Sequence, residues 1–68
     1  MEELDLGRFR YARRNRGMKM AQAGAVIGKS KNAIHRFESG ITSPRLDDFL
    51  ALLAAYKVKV QDVLVEKI

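Results

Sequence analysis

Three glycines, Gly17, Gly28 and Gly40, each close a short segment of helical period. Glycine takes the left-handed conformation that ends a helix, so it is a standard stop. A chain punctuated this way folds as several short helices packed on one core. Its 68 residues allow one modest core and leave no room for a second domain. There is no cysteine. Neither a disulfide nor a Cys-based zinc site can staple the fold, and apolar packing has to hold it. No apolar run approaches the roughly 18 residues of a membrane span. The opening Met1-Glu2-Glu3 is acidic and no apolar stretch follows, unlike a signal peptide. The expectation is a cytoplasmic protein.

The segments follow from periodicity. Residues 6–16 form the first predicted helix, with Leu6, Phe9 and Ala12 recurring every three positions. Arg13 falls beside that stripe, an odd place for a charge without a partner. Residues 20–27 form a second, weak helix. Its interior Gly24 costs about 1 kcal/mol against Ala, and Ala23 with Gly24 reads as a close helix-helix contact. Ser30 reads as an N-cap whose hydroxyl accepts from the next turn. The third helix, 31–39, turns Ile34 and Phe37 inward and Lys31, Asn32, His35 and Arg36 outward. After the loop 41–44, residues 46–56 form an amphipathic fourth helix. Leu46, Phe49, Leu50, Leu53 and Tyr56 share its apolar face, and Asp47 and Asp48 sit in the first turn, where the helix dipole favours them. Residues 60–65 read as a short fifth helix, although the alternation of Val58 and Val60 also admits a strand. The spacing of Phe9, Phe37, Phe49 and Tyr56 makes them core, with Tyr11 left as the exposed aromatic. Residues 1–5 and 66–68 are predicted tails, the latter frayed.

Charge divides the chain in two. Residues 7–36 carry nine Lys or Arg and no acid, whereas residues 37–68 carry four basic and five acidic side chains. Such asymmetry is the footprint of a polyanion binder, although a solvated basic face would share it.

The two predicted helices around Gly28 make a helix-turn-helix. The run Gly-Lys-Ser-Lys-Asn-Ala-Ile-His-Arg-Phe-Glu-Ser-Gly from Gly28 resembles the phage repressor and Cro-type family, also called XRE-like or lambda-repressor-like. Gly28, Ser30, Ile34, Arg36, Glu38 and Gly40 match its pattern in register. So do Arg13 and Gly17 upstream, and Ser43, Pro44, Leu46, Leu50, Leu52, Val58 and Leu64 downstream. The resemblance spans residues 6–64. It implies an all-α, compact five-helix domain over 6–65. It also implies an ion pair between Arg13 and Glu38, tying the first helix to the third. Two positions depart from the pattern. Met20 stands where the family has a backbone-contacting Gln, with Lys19 next to it as a substitute. Ala23-Gly24 replaces a Leu-Ala pair.

The resemblance further implies that the third helix enters the major groove of duplex DNA. Asn32 can pair with adenine, Lys31 and Arg36 with guanine, and His35 can reach a base or a phosphate. Lys19, Lys29, Ser30, Thr42, Ser43 and Arg45 flank that helix as phosphate contacts. The expected function is a transcription regulator, a repressor that binds a palindromic operator as a homodimer, either preformed or assembled only on DNA. Its dimer contact is expected in the fourth-to-fifth helix region or at Val63-Leu64-Val65. The setting would be prokaryotic or phage-encoded and nucleoid-associated. The alternative is a protein-interaction module on the same fold, such as an antitoxin paired with a toxin or a phage-encoded inhibitor. Met18, Met20 and Val26 would then be exposed for contact. No enzyme, metal or cofactor is expected. One His near one Glu falls short of a metal site, and no Ser has a positioned base.

Overall fold

A computed structural model describes residues 1–66 of the chain. In chain order the elements are β1 (Glu2–Leu4), α1 (Leu6–Asn15), α2 (Met20–Val26), α3 (Lys31–Glu38) and α4 (Leu46–Tyr56). A 3₁₀ turn (Val60–Asp62) and β2 (Leu64–Glu66) follow.

Local chemistry sets the helix ends. Asp5 caps α1, its carboxylate accepting from the Arg8 N–H at 2.9 Å. Each helix closes on the same pair of reversed bonds. For α2, the Gly28 N–H donates to the Ala25 carbonyl and the Lys29 N–H to the Gly24 carbonyl. That geometry needs positive φ, and Gly28 has φ 67°. Lys57 fills the equivalent place after α4 with φ 59°. A side chain there costs roughly 1–2 kcal/mol.

The apolar faces converge on one core of Phe9, Ala12, Ala23, Ile34, Phe37, Leu52, Leu53, Tyr56 and Val63. Phe9 sits at its centre, 5.8 Å from the Phe49 ring and 5.9 Å from the Tyr56 ring, both tilted. The Tyr56 hydroxyl is buried and finds no hydrogen-bond partner among the described residues. Burial pushes its pKa up to about 12, with the nearby Glu38 charge adding to the rise. An unfolded tyrosine titrates near 10. The native state therefore keeps this proton longer than the unfolded state. The associated stability is complete below about pH 10 and disappears as pH rises toward 12, a loss of about 2 kcal/mol. Tyr56→Phe is expected to abolish that alkaline loss and to be no less stable at neutral pH. Urea unfolding of both proteins near neutrality and at about pH 12 checks it. Equal alkaline losses would remove Tyr56 as the cause.

Four expectations are corrected. Among the described residues the fold is mostly helical rather than all-α, with four α-helices and a two-stranded sheet. The predicted fifth helix is the 3₁₀ turn followed by β2. A six-residue helix is marginal in water, and the Val-rich end gains more from pairing. β2 runs antiparallel to β1 with Leu4 opposite Leu64 and Glu2 opposite Glu66. Residues 2–4 and Glu66 are thus strand rather than tail, while Lys67 and Ile68 lie outside the described residues. Leu46 and Leu50 do not join the core face of α4. They are 71% and 46% exposed, and Leu52 is buried in their stead.

Gly24 makes the close approach expected of it, but to the turn backbone. A Cβ there would lie 2.6 Å from the Lys29 carbonyl oxygen and 2.8 Å from that of Ser30. The helix gain of Ala, about 1 kcal/mol, is smaller than the cost of moving two backbone carbonyls. Gly24→Ala is expected to lower stability by about 1–2 kcal/mol, read as a drop in melting temperature. A rise would show that the turn yields freely.

Candidate nucleic-acid interface

The face in question is built on α3. Its inner side is fixed by Ile34, Phe37 and Glu38, all buried. With 3.6 residues per turn, Asn32 and Arg36 lie opposite that side, while Lys31 and His35, the other pair at i, i+4, lie on its flank. All four are exposed. The helix leans mainly on α2 across the Gly28 turn, and also on α1.

Arg13 and Glu38 hold α3 from behind. The Arg13 Nε lies 2.6 Å from Glu38 Oε2 and the Nη2 lies 3.1 Å from Oε1, a two-pronged fork. The third Arg13 nitrogen donates to the Met18 carbonyl at 2.7 Å. Both side chains are buried, Arg13 at 5% and Glu38 at 1% exposure. The hydrogen bonds to Glu38 raise the Arg13 pKa, so its charge is permanent. The pair implied by the resemblance is thus present. Arg10 adds its Nε 3.8 Å from Glu38 Oε1.

The flanking residues are spread around α3. Lys19 precedes α2, where its backbone N–H donates to Gln22 Oε1 at 2.7 Å. Lys29 and Ser30 occupy the turn between α2 and α3. Ser30 is the N-cap residue by position, but its hydroxyl makes no capping bond, contrary to expectation. Thr42 and Ser43 lie in the loop after α3. Arg45 precedes α4 and pairs loosely with Asp47 at 4.0 Å, both well exposed. All six are exposed. Lys19, Lys29 and Ser30 bracket the start of α2 and α3, whereas Thr42, Ser43 and Arg45 flank the end of α3.

Met18 and Met20 are half-buried against the core, and only Val26 of that trio is exposed. The expected methionine contact surface is therefore not formed. Among the described residues, no three His, Cys, Asp or Glu side chains gather where they could hold a metal ion. Among the described residues, no helix is long and apolar enough to cross a membrane.

The profile of a family described as helix-turn-helix matches residues 9–63. Among curated proteins and solved structures nothing matches. The matched span begins at the central core residue Phe9, takes in α2, the Gly28 turn and α3, and ends at the buried Val63. The chain belongs to the helix-turn-helix family of Cro and repressor type, a family of DNA-binding regulators rather than enzymes.

Proposed function

We propose that this protein is a sequence-specific regulator that represses transcription by binding a palindromic operator as a homodimer, with α3 in the major groove. The observation that carries this reading is the outer face of α3. Lys31, Asn32, His35 and Arg36 stand exposed on a helix clamped from behind by a buried ion pair. Base readout needs side chains presented on a rigid element. Lys31 and Arg36 suit guanine, Asn32 suits adenine, and His35 suits a base or phosphate. Lys19, Lys29, Ser30, Thr42, Ser43 and Arg45 serve the backbone. No cofactor takes part, and the setting is the cytoplasm of a prokaryote or phage-infected cell.

One module of this size covers only about 600–1,000 Å² on DNA. Two copies on an inverted repeat double that and put their reading helices about 34 Å apart. Val63 is buried core and is unavailable for a dimer contact. The exposed Leu46 and Leu50 beside a groove of about 330 Å³ between Leu4, Pro44, Phe49 and Leu64 are the better surface. Protruding leucines beside a concavity on one face can complement each other across a two-fold axis. The same groove supports a second reading, docking of a protein such as a toxin.

Selection from random duplex DNA at near-physiological salt tests the proposal. Enrichment of a short site, paired as an inverted repeat one helical turn apart, is the expected result. No enrichment, with weak binding abolished by salt, would overturn it and send the search to a protein partner.

A further inference from the structure

A second basic feature borders the reading face and shares His35 with it. Arg10 and Arg14 of α1, Met20 at the start of α2, and His35, Glu38 and Ser39 of α3 line one concavity of about 190 Å³. Arg10 and Arg14 are four residues apart, so they stand one above the other on the same stripe of α1. His35 belongs both to this concavity and to the exposed face of α3. The concavity therefore opens at the border of that face.

Its charge is unbalanced. Among the described residues Glu38 is the one acid lining it, and both Glu38 oxygens are already engaged by the Arg13 fork at 2.6 and 3.1 Å. The Arg10 Nε stands at 3.8 Å from Glu38, beyond hydrogen-bond range, and the side chain is 46% exposed. Its guanidinium keeps donors to give, and so does that of the exposed Arg14. Two arginines on one stripe facing a recess form a fork suited to phosphate oxygens.

We propose that Arg10 and Arg14, with His35 at the rim, seat a backbone phosphate of the DNA next to the groove that α3 enters. This rests on the DNA-binding reading above and adds a clamp supplied by α1, outside the helix-turn-helix. The seat orients the reading helix and carries no sequence information.

Arg8 supplies the control. It sits on another side of α1, where its Nη1 donates to the Leu64 carbonyl at 3.3 Å. It carries the same charge on the same helix but lies outside the recess. Dissociation constants are measured for the selected duplex and a scrambled one across a salt series. The proteins are wild type, Arg10→Gln, Arg14→Gln, Arg14→Lys and Arg8→Gln, with melting temperatures as the folding check. Arg14→Gln is the cleaner variant, because Arg14 stands outside the Glu38 network. Each of Arg10→Gln and Arg14→Gln is expected to reduce the salt slope by about 0.9 on both duplexes. Their affinity ratio stays unchanged. Arg14→Lys keeps most of the slope, and Arg8→Gln moves it far less. Equal changes for Arg8→Gln and Arg14→Gln would overturn the seat, since charge would then act at a distance. Wild-type binding with unchanged Arg10→Gln and Arg14→Gln slopes removes the seat alone. No duplex binding by wild type removes both the seat and the reading it rests on.

Discussion

Glu38→Ala is expected to lose about 3–5 kcal/mol of folding stability, which is most of what a small domain has. The loss follows from what stays behind. Arg13 is 5% exposed and keeps its charge, with its fork pointing at an empty place and Arg10 nearby. A buried cation without its carboxylate is among the costliest defects a core can hold. Arg13→Ala is expected to be milder, because Arg10 already stands 3.8 Å from Glu38 and can close on it. Combining Arg13→Met with Glu38→Leu is expected to recover most of the loss, since an apolar pair removes both desolvation costs. Recovery stays incomplete, because the Met18 carbonyl loses its Arg13 donor. Thermal and urea unfolding followed by circular dichroism measure all three. A Glu38→Ala loss below about 1 kcal/mol would mean that water reaches the site and the pair is a surface one.

On DNA, the largest effects are expected at Asn32 and Arg36. Each replacement by Ala should weaken binding to the selected site by about 1–3 kcal/mol, and relax the preference at one base pair. Both residues are exposed and stand on the side of α3 opposite Ile34 and Phe37. Their removal should therefore leave stability within about 0.5 kcal/mol of wild type. Asn32→Ala is expected to spare the scrambled duplex, because an amide gives little to nonspecific attraction. Arg36→Ala should lose a little there too, as a lost charge does. Titrations against both duplexes separate these outcomes. Unchanged discrimination in Asn32→Ala would show that another surface reads the bases.

Sequence and structure agree most closely where the determinants are local. The bounds of α4 are those read from its period, and α2 and α3 end within a residue of the expected place, ahead of Gly28 and Gly40. The Asp5 cap was missed, although an Asp just before an apolar-periodic segment is a legible signal. The Arg13–Glu38 pair was legible because a charge beside an apolar stripe needs a partner, and the family resemblance supplied it. The strands were not legible. A three-residue strand has no pattern of its own, and β1 finds β2 at the far end of the chain. The exposure of Leu46 and Leu50 escaped for a related reason. Period names an apolar face, but which edge of it meets the core depends on where the neighbouring helices stand.

By itself, then, the sequence determined α1 to α4, their stops, the outward set on α3 and the basic character of the first half. Periodicity, caps and side-chain chemistry act within a turn or two, and so can be read along the chain. Only the tertiary structure decided that β1 and β2 pair as a sheet, that Gly24 sits against the turn carbonyls, and that Arg10 and Arg14 share a recess with His35. Each of these joins residues through space, and burial, desolvation and pairing are set by neighbours that no local pattern specifies.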